Sequence, residues 1–360
     1  MTTDTLNAAT LISADSSAQS IESVAPFAVR KEFVSVVIPC FNEERFIKQV
    51  LANLADQYDE DRYEIIVVDG MSTDDTRTVI ESFKQERPEI SVRVLDNPSR
   101  HIPAALNIGT SAARGEIIAR MDAHAVPSPG YVRRCVETLG QERCGVVGMP
   151  CRVRPSANTL MSKAIASAVS HPFGIGDAKY RLNSQGPAIE SVDTVAFACF
   201  KKSLWTELKG FSESLLTNED YDFNYRVRSS GYDVKLNRSG FCDYFARATL
   251  SGLKTQYSRY GFWKARMVRL HPSSIKLRHL VAPAFVLSLI VLALLGIMWW
   301  PALVLLAVEI SSYILVSLIC AGKITRANGG GLRMFLLMPL VFLTIHLSWG
   351  SHFLVGLLTK

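Results

Sequence analysis

The feature that most constrains this chain's fold is the run from Val281 to Trp300, twenty residues without a charge. At 1.5 Å rise per residue it reaches about 30 Å, the thickness of a bilayer's hydrocarbon core. Residues 302–320 and 334–358 repeat the pattern, broken by Glu309 in the first and by His346 and His352 in the second. One such run would suit a buried helical hairpin in a soluble domain. Three in succession predict three transmembrane helices within residues 281–358. Trp299, Trp300 and Pro301 fit a tight turn at an interface, where indole rings settle. Lys276 and Arg278 precede the first run, and Lys323, Arg326 and Arg333 separate the second from the third. The excess of Lys and Arg on cytoplasmic loops then predicts a multi-pass protein of the inner or plasma membrane, with its bulk cytoplasmic and its C-terminus outside. Ionisable groups in lipid seek partners, so Glu309 and His346 are expected to meet, the sharper alternative being a contact with an acceptor-lipid headgroup.

Residues 251–280 form a second distinctive segment. Gly252 to Leu280 holds seven Lys or Arg and no acid, although the whole chain carries a net charge of only +6. Tyr257, Tyr260, Phe262 and Trp263 interleave with these cations, as in an amphipathic helix lying on an anionic leaflet. Nucleic acid would attract the same charges, but the position just before an apolar span favours lipid, and no nucleic-acid partner is expected. The seven cysteines are scattered, with no CxxC pair, which suits reduced core residues. Residues 1–32, rich in Ser, Thr and Ala, have no charged-then-apolar signal pattern and are expected to be a disordered tail.

Between these segments, residues 33–250 alternate strand and helix as βαβ units do. VSVVIP (34–39) is an apolar run of the interior parallel type, followed by an amphipathic helix over 42–57. EIIVVD (64–69) and SVRVLD (91–96) are the next strands, with a helix beginning near Thr73 between them. Pro103 suits a first helical turn, so 103–113 is a third helix, and EIIARM (116–121) is the fourth strand. The fold class is therefore α/β with an open, mainly parallel sheet. Such sheets bind ligands past their carboxyl strand ends.

Three acids collect at that edge: Glu43 after the first strand, Asp69 closing the second and Asp122 following the fourth. A carboxylate such as Asp69 accepts hydrogen bonds from a base or ribose, and Asp122 can hold a divalent cation against diphosphate oxygens. In extended backbone Asp122 and His124 point to the same side, an arrangement for shared metal ligation. His124 is either a nitrogen ligand, which would favour Mn²⁺ over Mg²⁺, or a hydrogen-bond donor beside the ion. Asp74 and Asp75 are better read as helix caps.

The segments VSVVIPCFNEE, IIVVDGMSTDDT, ALNIGTSAARGEIIARMDAH and TNEDYDFNYRVRSSGYDV, in this order, resemble the family 2 glycosyltransferases with the GT-A fold, a Rossmann-like nucleotide-diphospho-sugar transferase domain. NPSRHIPAALNIG, RMDAHA, VDTVAFACF, NEDYDFNYR and QYSRYGFW are similar to the subgroup of ExoA-like glucosyltransferases of succinoglycan and exopolysaccharide biosynthesis. The resemblance covers roughly residues 33–270 and implies a divalent cation, Mg²⁺ or Mn²⁺, with Asp122-Ala123-His124 standing where most of the family has Asp-x-Asp. It implies a general base at Asp220, with Glu219 positioning acceptor or base and Asp222 a surface or helix-turn residue. Its motifs assign donor or acceptor contacts to Pro39, Asn42, Glu43, Asp69, Arg100, Asn107, Gln256 and Arg259. Gln256-x-x-Arg259-Tyr260 resembles a Gln-x-x-Arg-Trp signature, with Tyr in place of Trp.

The expectation is an inverting hexosyltransferase, glucose from UDP-glucose first, acting on a polyprenyl-linked saccharide among other polysaccharide-assembly enzymes. The alternatives are a processive polysaccharide synthase, which the missing Trp disfavours, and a non-catalytic membrane scaffold, which the retained acids disfavour.

Overall fold

The computed structural model describes residues 32–141, 143–182 and 186–359. The tail expected over residues 1–32 lies outside them, apart from Glu32. Four parallel strands open the chain: β1 (Val34–Cys40), β2 (Tyr63–Asp69), β3 (Val92–Asp96) and β4 (Ile117–Arg120). Helices α1 (Ile47–Ala55), α2 (Thr76–Glu86) and α3 (Ile102–Ala112) connect them. All seven residues of β2 are buried, because both faces of the sheet are covered. The buried Glu64 carboxylate on β2 is satisfied by the Ser35 hydroxyl at 2.7 Å, the Arg114 amide at 2.7 Å and Arg93 at 3.1 Å. Gly109 of α3 lies so close to β1 that a Cβ there would stand 2.4 Å from Val37.

The chain then runs through β5 (Val126–Pro127), α4 (Tyr131–Leu139), β6 (Cys144–Gly148), β7 (Cys151–Pro155), α5 (Leu160–Ala168) and α6 (Pro172–Ile175). Next come β8 (Ile189–Ser191), β9 (Cys199–Lys201), α7 (Lys202–Glu207), α8 (Glu219–Ser229), β10 (Asp233–Asn237) and β11 (Cys242–Ala246). The main sheet has the order β3-β2-β1-β4-β9-β6-β10-β8, and a small sheet has the order β5-β11-β7. Strand order reverses direction between β1 and β4, which opens a crevice at their carboxyl ends.

The first helix begins five residues later than its apolar period suggests. Asn42 adopts φ +55°, and the amides of Asn42 and Glu43 donate to the hydroxyls of Ser72 (2.9 Å) and Thr76 (2.8 Å) instead of entering a helix. The chain after β1 is thereby stitched to the loop after β2.

Four long helices complete the molecule: α9 (Leu250–Leu270), α10 (Leu277–Leu295), α11 (Trp300–Asn328) and α12 (Gly331–Leu358). The last three are long and apolar enough to cross a membrane. Two expectations change here. Lys323, Arg326 and Arg333 lie within helices α11 and α12, and the link between those helices is only two residues long. The third apolar run, α12, is also partly covered, because it packs on the domain that precedes it. Its first half packs on α5 through Met334, Met338, Phe342 and Ile345, together with Ala164 and Ile165. Its second half runs parallel to α9. Gly261 meets the Trp349 carbonyl, Gly356 meets the Phe262 carbonyl, and Arg269 donates to the carbonyl oxygens of Leu357 and Thr359.

Helix α9, along which α12 lies, carries Lys254, Arg259, Lys264, Arg266 and Arg269. Conversely, the apolar face proposed for lipid on residues 251–280 is largely covered: Leu253, Tyr257, Gly261 and Ala265 are buried beside α12, and Met267 packs against Leu215 and Tyr221. Exposed apolar side chains concentrate on the α10–α11 hairpin, at Val281, Leu287, Ile290, Leu294, Ile297, Met298, Leu303, Val308 and Leu315. Glu309 bonds Ser288 across this hairpin, whereas His346 bonds Tyr313 and the Phe173 carbonyl; the expected Glu309–His346 contact is not made. Ser288 wins because α10 and α11 are adjacent in sequence and antiparallel.

Candidate active site

Arg120, the last residue of β4, organises the site. Its side chain is only 9% exposed, and it lies 3.4 Å from Asp122, 3.0 Å from Glu219 and 3.8 Å from Asp220. Two segments a hundred residues apart are thus joined through one guanidinium. Sequence reasoning passed over Arg120, although a lone cation in the apolar run EIIARM is its signal: a charge placed inside a buried strand needs partners.

Asp220 and Glu219 open α8, where Asn218 with φ +69° turns the chain into the helix and the helix dipole favours acids. Their environments differ. Glu219 has a side chain 6% exposed, and burial pushes its carboxyl up to about 7 against the pull of Arg120. Asp220 is 32% exposed and faces open space. Of the two, Asp220 can reach a ligand. Asp222 is not the surface residue expected: it is buried, holding Arg226 at 2.9 Å and His271 Nε2 at 2.9 Å, so it clasps α8 to the end of α9. Helical spacing turns Asp222 away from the cavity and toward those two cationic partners.

A second cluster gathers the loops after β1, β2 and β3. Asp69 is buried and accepts from Ser72 Oγ and from Arg77 Nε at 2.6 Å. Ser72 Oγ also accepts from the Asn42 amide, and Asn42 Oδ1 accepts from the Thr73 amide at 2.8 Å. Arg100 stacks over Phe41 at 5.7 Å. Pro39 lies within β1, half-buried beside Val68. The two clusters touch where β1 and β4 part: His124 Nδ1 is 2.9 Å from Glu43 Oε1. That hydrogen bond raises the His124 pKa against the effect of burial.

Asn107 belongs to neither cluster. Its amide donates to the Phe211 carbonyl and to Glu213, and its oxygen accepts from the Phe211 amide at 2.8 Å, so it ties α3 to the loop before α8. The substrate contact expected of Asn107 gives way to this structural one, because its face of α3 points at that loop.

Asp122 and His124 stand at the wall of a cavity of about 1050 Å³ that also takes in Arg120, Glu219 and Asp220. Gln256 and Arg259 line it too, from α9; the Gln256 amide donates to Tyr244 at 2.8 Å and Tyr260 at 3.1 Å. Among the described residues no three His, Cys, Asp or Glu side chains form a closed metal cage. The donors present fit a different kind of site. One carboxylate, Asp122, with the His124 imidazole lining the same cavity, suits a hard cation whose remaining ligands are water and substrate phosphates. From this polar end the cavity continues to Phe285 of α10, Tyr313 of α11 and His346 and Trp349 of α12.

The Glycosyl transferase family 2 model matches residues 35–207. The chain is 28% identical over 321 residues to the succinoglycan biosynthesis protein ExoA of Rhizobium meliloti, covering 88% of this chain and 93% of that protein. It is 26% identical over 245 residues to the dolichyl N-acetyl-alpha-D-glucosaminyl phosphate 3-beta-D-2,3-diacetamido-2,3-dideoxy-beta-D-glucuronosyltransferase of Methanococcus voltae, covering 66% and 74%. The solved mannosyltransferase PcManGT from Pyrobaculum calidifontis, in complex with GDP-Man and Mn²⁺, has the same fold: the TM-score is 0.57 at 20% identity, covering 91% of this chain and 89% of that one. The chain thus carries a domain, residues 35–207, that matches the Glycosyl transferase family 2 model on the fold of the solved mannosyltransferase, and long apolar helices follow that domain.

Proposed function

We propose that this enzyme transfers a hexose with inversion from a nucleoside diphosphate sugar, UDP-glucose first, to a hydroxyl of a polyprenyl-linked saccharide in exopolysaccharide assembly. The observation that carries this reading is the single cavity that joins Asp122 and Asp220 to side chains of the apolar helices. A soluble acceptor needs no such path, whereas a lipid-linked one does. The name of the Rhizobium meliloti relative supports the biosynthetic context.

In this mechanism the Asp220 carboxylate accepts the proton of the acceptor hydroxyl as its oxygen bonds to the anomeric carbon and the bond to the diphosphate breaks. Arg120 holds Asp220 in place, and Glu219 fills the buried side of the same guanidinium. Asp122, assisted by His124, would hold Mg²⁺ or Mn²⁺, which supplies charge neutralisation for the diphosphate. Arg259, exposed at the cavity wall, adds a forked cation for the departing nucleotide. Asn42, Asp69 and Arg100 form the nucleoside end, with Asp69 acting through its hold on Ser72 and Arg77.

The orientation follows from the ends of the hairpin. Lys276 contacts Asp193, and Asn328 contacts Ser167 of α5, so both feet of α10–α11 stand on the catalytic domain. The cations near these feet, Lys276 and Arg278 at one and Lys323 and Arg326 at the other, support a cytoplasmic domain. Helix α10 is about 28 Å long, enough to cross the hydrocarbon core, while α11 overshoots it on the side of Lys323. Two crossings and a docked α12 return the C-terminus to the cytoplasm, in place of the three crossings read from hydropathy.

The test is a donor screen on membranes containing the full-length protein, with lipid-linked saccharide acceptor and Mn²⁺ or Mg²⁺. Radiolabelled glucose passing from UDP-glucose into extractable lipid is expected, as a product of defined length. Transfer of no sugar nucleotide to any lipid fraction would overturn the reading, and a long polymer would replace it with a processive synthase.

A further inference from the structure

Lys264 projects from α9 into the membrane-side lobe of the cavity and is only 3% exposed. Its ammonium lies 3.5 Å from the Tyr221 ring centroid and 3.5 Å from the Met267 sulfur. Among the described residues no carboxylate lies within ion-pair distance of it. A buried charge with only a ring and a thioether for company is costly unless a ligand completes its shell.

The nearest buried acid is already engaged. Asp193 accepts from the Tyr221 hydroxyl at 3.1 Å, pairs with Lys276 at 3.3 Å and accepts from Arg278, whose other nitrogen reaches the exposed Asp177 at 2.5 Å. Three cations therefore face one lobe around a single buried carboxylate. Burial first, and then the Arg278 charge, lower the Lys264 ammonium to about 7, which a bound anion would reverse. The same lobe turns apolar within α10, α11 and α12, at Phe285, Tyr313 and Trp349.

We propose that this lobe binds the phosphoryl headgroup of an isoprenoid lipid, held by Lys264, Lys276 and Arg278, with the apolar chain against Phe285, Tyr313 and Trp349. The proposal rests on the reading of the enzyme as one with a lipid-linked acceptor and assigns that acceptor's anchoring site. The phosphoryl anchor sits between Asp220 and the bilayer, so the saccharide beyond it is presented to the base. It is separate from the donor diphosphate, which belongs with Asp122 and His124 at the strand ends.

The full-length protein in neutral phosphatidylcholine nanodiscs is titrated with geranylgeranyl diphosphate and with inorganic pyrophosphate, in competition with phosphatidylglycerol vesicles. Binding is followed through quenching of tryptophan fluorescence. Lys264→Met should weaken geranylgeranyl diphosphate binding at least about tenfold, and Lys264→Arg should retain most of it. Melting temperatures confirm that both variants are folded, and UDP affinity with Mn²⁺ should remain within about twofold of wild type in both. Unchanged diphosphate binding in the Met variant overturns the site. Pyrophosphate binding as tightly as the prenyl diphosphate overturns the lipid assignment in favour of free phosphate, and equal competition by phosphatidylglycerol overturns it in favour of general membrane anionic lipid. Wild-type sugar transfer separates the two readings: if it proceeds while the site test fails, the transferase reading stands and only this site falls.

Discussion

Replacing Arg120 with Met should unseat the three acids around it as a group. The guanidinium lies 3.4, 3.0 and 3.8 Å from Asp122, Glu219 and Asp220. At an effective dielectric of about 20 each contact is worth roughly 4–6 kcal/mol of attraction. Those attractions do not sum to a stability, because Arg120 is itself desolvated and its Nε and Nη1 find no hydrogen-bond partner. What decides the outcome is the charge left behind: removing one partner of a buried ion pair costs about 3–5 kcal/mol. For a domain of 150–250 residues about 1 kcal/mol shifts the melting temperature by about 2–4 °C, so a loss on the order of 10 °C is expected. The assay is tryptophan-monitored thermal unfolding of the full-length protein in detergent, with transfer rate at saturating donor measured in parallel. Arg120→Lys should recover part of the stability, since a point charge reaches at most one or two of the three acids. A melting temperature for Arg120→Met within about 2 °C of wild type would show that these carboxylates do not depend on Arg120 and would refute the reasoning.

Asp220→Asn preserves shape and removes only proton acceptance, so turnover should fall by about 10²–10⁴ with UDP affinity nearly unchanged; near-normal turnover would move the base to Glu219. Lys264 faces Lys276, Arg278 and His279 from α10, Asp193 from the loop before β9, and Tyr221 and Arg228 from α8. Its folded pKa, about 7, lies below the unfolded 10.5. Between these values the unfolded chain binds the extra proton, so stability should rise from pH 7 toward 10.5, by an amount on the order of a few kcal/mol that Lys264→Met abolishes. A wild-type minus Lys264→Met stability difference that is flat over that window would contradict this. Gly261→Ala puts a Cβ 2.2 Å from the Trp349 carbonyl, and prying α9 from α12 should cost about 1–3 kcal/mol, read as a lower melting temperature with α9 amides exchanging faster. A reporter fused after Lys360 should lie on the cytoplasmic side, together with one fused at the N-terminus; an external C-terminal reporter would restore three crossings.

Local pattern was enough for the first half of the domain. β-Branched, uninterrupted runs announced β1, β2 and β4, and Pro103 marked the start of α3, because burial on both sheet faces and proline geometry act within a few residues. The motif residues Asp122, Glu219 and Asp220 were legible as acids next to strand and helix ends. Their union was not. Arg120 meets Glu219 across about a hundred residues, Glu43 meets His124 across eighty-one, and Asn107 is taken by the Phe211 loop; such pairings follow from the strand order β2-β1-β4-β9. Asp222, one residue past Tyr221 in the same acidic cluster, turns inward because helical spacing carries it to the face shared with Arg226 and His271.

The helices show the same division. Hydropathy alone established that residues beyond 280 are apolar enough for a bilayer, since that property is a sum over consecutive side chains. Whether each helix meets lipid depends on what else competes for its surface. Helix α12 finds α9 and α5 there, with Gly261 and Gly356 permitting backbone contact, whereas α10 and α11 leave most of their large apolar side chains exposed. Composition thus determined the affinity of these segments for hydrocarbon, and only the tertiary structure decided that one side of α12 is covered by protein, because burial is a property of neighbours and not of the run itself.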